Sequence, residues 1–359
     1  MRIAIVSVTK QGSVLAEKIA SFKNWQDDEL ICYAKTGRGL IKHETYDNLG
    51  LLLEKIWPKC QLLIFIMATG IVVRSISKFL QHKSLDPAVL CLDEKGKFVI
   101  SLLSGHLGGA NMFAKMLSNK LAGSQAVITT ATDVNKLVAP DVIARDFNFK
   151  IASFVSLRYI NAELADGEDI TYYLAAHLEE YRPAIINYNL EVKLFEQLPI
   201  ELLDKKIVII TDQILPEQWY NRDNILVMIP QHHVIGIGCR RDISGERILT
   251  AIRAVCQEQN IDLNSVKSLA SAWVKSDEVG LLQTGKILNL PIDFYEQQEL
   301  MYAIAKYNLR ESAYVKKTLG IGNVCEAAAL CTVKKGRIKV CKTAMNQITI
   351  AVVQENFTW

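Results

Sequence analysis

The stretch Phe98-Val-Ile-Ser101-Leu-Leu-Ser104-Gly105-His106-Leu-Gly108-Gly109-Ala-Asn111 decides how this chain is read. An extended apolar run at 98–100 comes first, and an amphipathic pattern at 112–121 comes after. The order is strand, glycine-rich turn, helix. Three glycines let the backbone approach a ligand closely. The helix start beyond them offers unpaired N–H groups and a positive dipole end, which suit an anion. A turn that only reversed the chain would have no use for two serines, a histidine and an asparagine.

The same rhythm runs outward in both directions. Residues 3–8 and 62–67 read as buried strands, with helices at 13–21 and 71–80 after them. Two more strands, 88–92 and 98–102, are joined by the turn Asp93-Glu-Lys-Gly96. A strand at 126–128 leads into Thr129-Thr130-Ala-Thr-Asp133. Strands alternating with helices imply βαβ units and a mostly parallel sheet. In such sheets ligands bind beyond the carboxyl ends of strands. The polar turns at 9–13, 68–74, 101–111 and 129–133 all follow strands and are therefore expected along one edge.

From about 135 to 228 the pattern is harder to read. It suggests helices at 151–164 and 170–181, an extended segment near 207–211, and no catalytic spacing. The α/β rhythm restarts with a strand at 234–239, a helix with Ile248, Leu249, Ile252, Val255 and Cys256 at helical spacing, and a strand at 269–274. Ser276 is the expected N-cap of the next helix. A short strand is expected at 292–295, Gly320-Ile-Gly-Asn323 precedes a helix at 324–330, and two paired strands at 338–341 and 348–353 close the chain. The expected architecture is multidomain α/β, with mostly parallel sheets flanked by helices. An N-terminal α/β domain (1–134) carries the glycine-rich turn, a middle linking domain covers 135–231, and a separate C-terminal α/β domain covers 232–359.

The 359 residues are half apolar and carry a net charge of +3, a globular composition with ample core. So small a charge argues against a nucleic-acid partner, which usually calls for a clustered basic surface. The eight cysteines form no C-x-x-C pair and no zinc-spaced cluster with histidine, so they read as small core residues in a reducing compartment. The apolar stretch at the amino terminus is short for a signal peptide, and the run 62–68 is short for a membrane span. The expectation is a cytoplasmic protein with no membrane partner, and a homodimer is compatible with it.

Each candidate site residue also has an ordinary structural role. Gly105, Gly108 and Gly109 serve helix–strand packing as readily as ligand approach. Their spacing is neither a Walker loop nor a dinucleotide G-x-G-x-x-G, and no G-x-S-x-G elbow is present. His106 suits proton transfer near neutral pH but is also an ordinary surface residue. Ser101 and Ser104 can bond local backbone, and Asn111 and Asp133 can cap helices. Arg74, Arg240, Lys275 and Lys342 suit substrate carboxylates but singly read as surface charges. Glu278 and Glu326 read as helix acids, and Cys325 as core.

The run 100–111 and Thr129-Thr-Ala-Thr-Asp-Val134, preceded by Ala68-Thr-Gly70-Ile-Val-Val-Arg74 and Asp86-Pro-Ala88, resemble the cobalt-precorrin-5A hydrolases of anaerobic cobalamin synthesis. Gly236-Ile-Gly-Cys-Arg240-Arg241, Lys275-Ser-Asp-Glu278, Gly320-Ile-Gly-Asn323-Val-Cys-Glu326 and Lys342-Thr343 are similar to the family's carboxy-terminal part. The chain departs from the family at Arg310-Glu-Ser-Ala-Tyr314, where a proline often precedes the serine. The resemblance implies a cobalt-tetrapyrrole substrate whose δ-lactone is opened by water, with loss of a two-carbon fragment as acetaldehyde. Cobalt then belongs to the substrate, and no cofactor or protein-bound metal is expected. On this reading His106 activates water or shuttles a proton, with Asp133 and Ser104 as further catalytic candidates. The turn's N–H groups face the oxyanion. Gly70, Ser101, Gly105, Gly108, Gly109, Asn111, Thr129, Thr130, Glu278 and Asn323 join Arg74, Arg240, Lys275 and Lys342 as substrate-binding candidates. The resemblance does not say which group is the base. Two other readings stay open: a tetrapyrrole carrier without turnover, and a phosphate-ligand enzyme using the glycine turn.

Overall fold

The computed structural model describes residues 1–135 and 137–357, so residues 136, 358 and 359 of the expected domains lie outside the described residues. The protein is α/β, with three mostly parallel sheets flanked by helices. It divides into two compact units: Met1–Asp146 with Asn161–Glu168, and Phe147–Ile160 with Asp169–Trp359.

The first unit holds seven strands: β1 Arg2–Ser7, β2 Glu29–Lys35, β3 Glu44–Tyr46, β4 Leu62–Ile66, β5 Ala88–Leu92, β6 Phe98–Leu103 and β7 Gln125–Val127. Their order is β3-β2-β1-β4-β5-β6-β7. Every residue of β4 and β5 is buried, because helices cover both faces of the sheet and leave no place for polar alternation. Ile3, Ile5, Ile64 and Leu90 face Leu15, Ile19, Phe113 and Leu117 on one side. Ala4, Val6, Leu63 and Phe65 face Leu53, Ile56, Val72 and Ile76 on the other. Successive residues of a strand point to opposite faces, which produces this division.

Strand direction corrects one expectation. β1, β4 and β5 are mutually parallel, but β6 is antiparallel to β5, and β7 is parallel to β6. The cause is the tight turn at Asp93–Gly96, where Gly96 N–H donates to Asp93 O and the Asp93 carboxylate accepts from Lys95 and Phe98 N–H. So short a link can join only antiparallel neighbours. The carboxyl ends of β6 and β7 therefore lie at the edge opposite those of β1 and β4. The polar turns split into two pairs rather than sharing one edge.

The second unit holds two five-stranded sheets. One comprises β8 Phe149–Ile151, β9 Thr171–Ala175, β10 Val192–Phe195, β11 Ile207–Ile210 and β12 Ile225–Pro230, in the order β10-β9-β11-β12-β8. Only β8 is antiparallel to its neighbour. The other comprises β13 His233–Cys239, β14 Val266–Ala272, β15 Ile292–Tyr295, β16 Gly336–Met345 and β17 Ile348–Glu355, in the order β15-β14-β13-β17-β16. The last two pair, as expected, and run antiparallel.

The middle segment departs most from its sequence reading. Residues 170–181 form β9 and a 3-10 turn, Ala176–Tyr181, instead of a helix, because Tyr172 and Leu174 alternate into the core. Residues 149–151 are a strand, and the helix there runs Phe154–Ala165. Ser276 ends a 3-10 turn and does not cap the following helix, Val279–Leu288, whose N-cap is Glu278.

Candidate functional site

In the first unit, β6 ends at Leu103 and the chain turns through Ser104 at φ 56°. The turn is packed too tightly for side chains at two of its glycines. A Cβ on Gly108 would lie 2.6 Å from Ser104 Cβ, and one on Gly105 would lie 2.7 Å from Asn111 Oδ1. Ser104 Oγ donates to Asp86 O at 3.0 Å, tying the turn to the segment before β5. The N–H groups of Gly109, Ala110 and Asn111 donate to the carbonyls of His106, Ser104 and Gly105. The turn thus holds itself together with three of the N–H groups expected to face an oxyanion.

His106 is the centre of what this turn presents. Its Nδ1 lies 3.0 Å from Asp141 Oδ1 and its Nε2 lies 2.9 Å from Asp133 Oδ2. Thr132 Oγ1 is 3.4 Å from Nε2, and Arg145 donates to the His106 carbonyl at 2.8 Å. Asp133 comes from the short helix Ala131–Val134 after β7, and Asp141 from the helix Pro140–Asp146. Asn111, near the start of the helix Ala110–Lys120, donates to Asp133 Oδ2 at 2.8 Å and to Thr130 Oγ1 at 3.1 Å. Ser101 Oγ donates to Asn111 Oδ1 at 2.6 Å, which fixes the amide's orientation. Lys115, one helical turn after Asn111, donates to Asp133 Oδ1 at 2.8 Å.

The electrostatics follow from this arrangement. Burial opposes the charged imidazole, but Asp141 and Asp133 outweigh it, and the pKa of His106 is raised. Burial likewise disfavours the Asp133 carboxylate, yet bonds from Lys115, His106 and Asn111 lower its pKa. The two shifts describe one ion pair: an imidazolium donating to two carboxylates. A cleft of about 400 Å³ opens onto it, lined by Lys83, Ser104, Gly105, His106, Thr130 and Asp141 among others. Asn161 also lines this cleft, and its buried Oδ1 has no hydrogen-bond partner. The arrangement can deliver a proton and stabilise negative charge developing on a bound molecule.

In the second unit, a cavity of about 910 Å³ gathers Arg240, Arg241, Lys275 and Lys342 against an apolar wall that includes Val274, Val315 and Leu319. Lys275 is buried and paired with Glu278 at 3.2 Å. Arg241 pairs with Asp277 at 2.9 Å. Cations around an apolar floor suit an amphipathic molecule bearing several carboxylates.

The structure therefore brings Ser101, His106, Asn111, Thr130 and Asp133 into one network, and Arg240, Lys275 and Lys342 into one cavity. Gly70 and Arg74 sit on the exposed face of the helix Thr69–Ile76 after β4, at the sheet edge opposite His106. Thr129 is exposed and does not line the cleft. Asn323 is buried as a backbone anchor: it donates to Arg310 O and Glu326 and accepts from Glu326 N–H. Cys325 is core, its thiol pushed up to about 11 by burial. Sequence reasoning missed Asp141, Lys115 and Arg145. The four-residue spacing from Asn111 to Lys115 was a usable signal. Asp141 had none.

Three family models cover successive parts of the chain: Cobalamin synthesis G N-terminal at 51–133, Cobalamin biosynthesis central region at 138–230, and Cobalamin synthesis G C-terminus at 233–353. The chain is similar to a Cobalt-precorrin-5A hydrolase from Salmonella typhimurium, 34% identical over 91% of this chain and 90% of that protein. It is similar to a Cobalt-precorrin-5A hydrolase from Priestia megaterium, 28% identical over 97% of this chain and 94% of that one. Among solved structures, CobE, a protein from the cobalamin biosynthetic pathway, is 29% identical with a TM-score of 0.33, over 35% of this chain and 92% of that chain.

Proposed function

This chain belongs to the cobalt-precorrin-5A hydrolase family, and on that premise we propose how its own residues carry the family's reaction. It is a hydrolase of cobalamin biosynthesis that opens the δ-lactone of cobalt-precorrin-5A with water, giving cobalt-precorrin-5B and acetaldehyde. The observation that carries the residue assignment is His106, held between Asp133 and Asp141 at the wall of a cleft.

Lactone opening puts negative charge first on the carbonyl oxygen and then on the departing alkoxide. The His106 imidazolium stabilises that charge and protonates the alkoxide. The two-carbon fragment then leaves as its carbon–carbon bond to the macrocycle breaks. The hydroxyl gives its proton back to the now neutral His106 as the acetaldehyde C=O forms, and the bonding electron pair passes to the macrocycle. The raised pKa of His106 favours this donor role over activation of water, because a base must be neutral when it acts. Asp141 lines the same cleft, and we assign it the orienting of the attacking water. Asp133, with Asn111, Thr130 and Lys115, fixes the imidazole plane. Ser104 serves by shaping the turn. Arg240, Lys275 and Lys342, in the second unit's own cavity, suit the acetate and propionate groups that such a substrate carries. Cobalt enters as part of that substrate.

The test is anaerobic incubation of the purified protein with cobalt-precorrin-5A, trapping acetaldehyde and recording the tetrapyrrole mass. Catalytic acetaldehyde release with the matching mass loss is expected. Tight tetrapyrrole binding with neither change would leave a carrier in place of an enzyme.

A further inference from the structure

Three parallel strands of the second unit, β9, β11 and β12, end side by side. Two residues past each end stands a potential ligand: His177 after Ala175, Asp212 after Ile210, and His232 after Pro230. His233 follows directly. The carboxyl edge of a parallel sheet is where such folds place ligand groups. His232 Nε2 lies 3.0 Å from Asp212 Oδ2, His233 Nε2 lies 3.6 Å from the same oxygen, and His177 Nε2 lies 2.5 Å from Asp212 Oδ1. The ligand atoms of Asp212, His232 and His233 all fall within 4.8 Å of one another.

A second observation is independent of that clustering. The side chain of His233 is 0% exposed, and its Nε2 has no hydrogen-bond partner. Its tautomer can be worked out from its neighbours. Ser265 Oγ donates its single proton to Asp262 O at 2.5 Å, so toward His233 Nδ1, 2.8 Å away, it acts as acceptor. His233 therefore carries its proton on Nδ1 and aims a bare lone pair from Nε2 at Asp212. A buried acceptor beside a carboxylate lacks the cation that would satisfy both. The outer nitrogen of His232 has its own partner, Tyr181 OH at 3.1 Å. Outer partners of this kind are what orient ligating imidazoles.

We propose that Asp212, His232 and His233 bind one divalent late first-row cation, Zn2+ by their spacing, with water in the fourth position and His177 holding the other oxygen of Asp212, and that this site fastens the two sheets of the second unit. Tetrahedral ligand bonds of about 2.0–2.1 Å imply ligand–ligand edges of about 3.3 Å. The distances of 3.0 and 3.6 Å to Asp212 bracket that edge. On binding, the cation takes the place of the proton between Asp212 and His232; His232 keeps one proton, on Nδ1 facing Tyr181 OH, and any second proton passes to solvent. The site is separate from the cobalt of the substrate, which its own macrocycle holds. It also departs from the sequence reading, in which no ligand spacing was visible, because the ligands lie far apart in the chain except for His232 and His233.

The test uses the full-length protein without substrate, stripped with a chelator and then given Zn2+ or Co2+ alone. One equivalent of Zn2+ should survive gel filtration and raise the melting temperature. Co2+ should give the visible bands of a low-coordinate nitrogen–oxygen site without sulfur-to-metal charge transfer. His233→Gln and Asp212→Asn should lose the bound equivalent, while Ser265→Ala, which keeps every ligand, should weaken binding by about 10- to 100-fold. Should either ligand variant fail to fold, the partly exposed His177→Ala, which removes the partner of the other Asp212 oxygen, should weaken Zn2+ binding by about 10- to 100-fold. Failure of the wild type to retain metal overturns the proposal. So does full retention in Asp212→Asn, or a thiolate spectrum, either of which would put the metal elsewhere.

Discussion

Both nitrogens of His106 face carboxylates, and this sets its behaviour with pH. Its raised pKa means that its contribution to stability is complete below the ordinary imidazole range and is lost as pH rises through the raised value. The lowered pKa of Asp133 works in the opposite direction: its contribution is present above the ordinary carboxylate range and is lost as pH falls. The stability gap between wild type and His106→Ala, read by thermal melting, should therefore be widest between about pH 4 and 6.5. A proton-donating His106 also makes turnover fall on the alkaline side. Asp141→Asn removes one carboxylate and should move that alkaline limb of the kcat/KM profile to lower pH. An unmoved limb would show that Asp141 does not support the charge on His106. At this scale the sequence located His106, Asn111 and Asp133. It could not find Asp141, which lies 35 residues from its partner in a segment with no motif.

The glycine turn was legible as strand, turn and helix, but its packing was not. Its glycines are required by close approach within the turn, most clearly at Gly108, where a Cβ would also lie 2.8 Å from Ser104 O. Gly108→Ala should cost about 1–3 kcal/mol of stability, since the obstruction is partly backbone. It should also lower activity by displacing His106. A melting temperature and turnover equal to wild type would show that the turn has room to spare. The direction of β6 follows from the turn at Asp93–Gly96, visible in the sequence as a link too short for a crossover. Treating every polar turn as belonging to one edge overlooked that reversal. In the middle segment, Tyr172 to Leu174 read as helical because short apolar runs carry no reliable period. Their neighbours in the sheet, Ile207 to Ile210, decide their conformation from far along the chain.

Over the whole molecule, a net charge of only +3 conceals a local concentration of cations. Arg240, Arg241, Lys275 and Lys342 line one cavity, although each looked like an isolated surface charge in the sequence. If they hold substrate carboxylates, Arg240→Ala and Lys342→Ala should each raise KM by about tenfold, or roughly 1.4 kcal/mol, with kcat little changed. KM should also rise with salt, because partly exposed ion pairs are screened over a Debye length of about 8 Å at physiological ionic strength. A salt-independent KM would place substrate recognition elsewhere. No described helix is long and apolar enough to cross a membrane. The α/β rhythm of the first and last sheets was legible because β1 and β13 are strongly apolar. The separate sheet of the middle segment was not, because its strands are short and its connections irregular.

The most direct measurement is acetaldehyde release from cobalt-precorrin-5A by wild type and by His106→Ala, followed anaerobically at one pH with melting temperatures taken alongside. The account predicts a fall in kcat of about 10² to 10⁴ in a variant that remains folded. Near-wild-type turnover by folded His106→Ala would contradict it, and the reacting group would then have to be sought outside the Asp133–His106–Asp141 network.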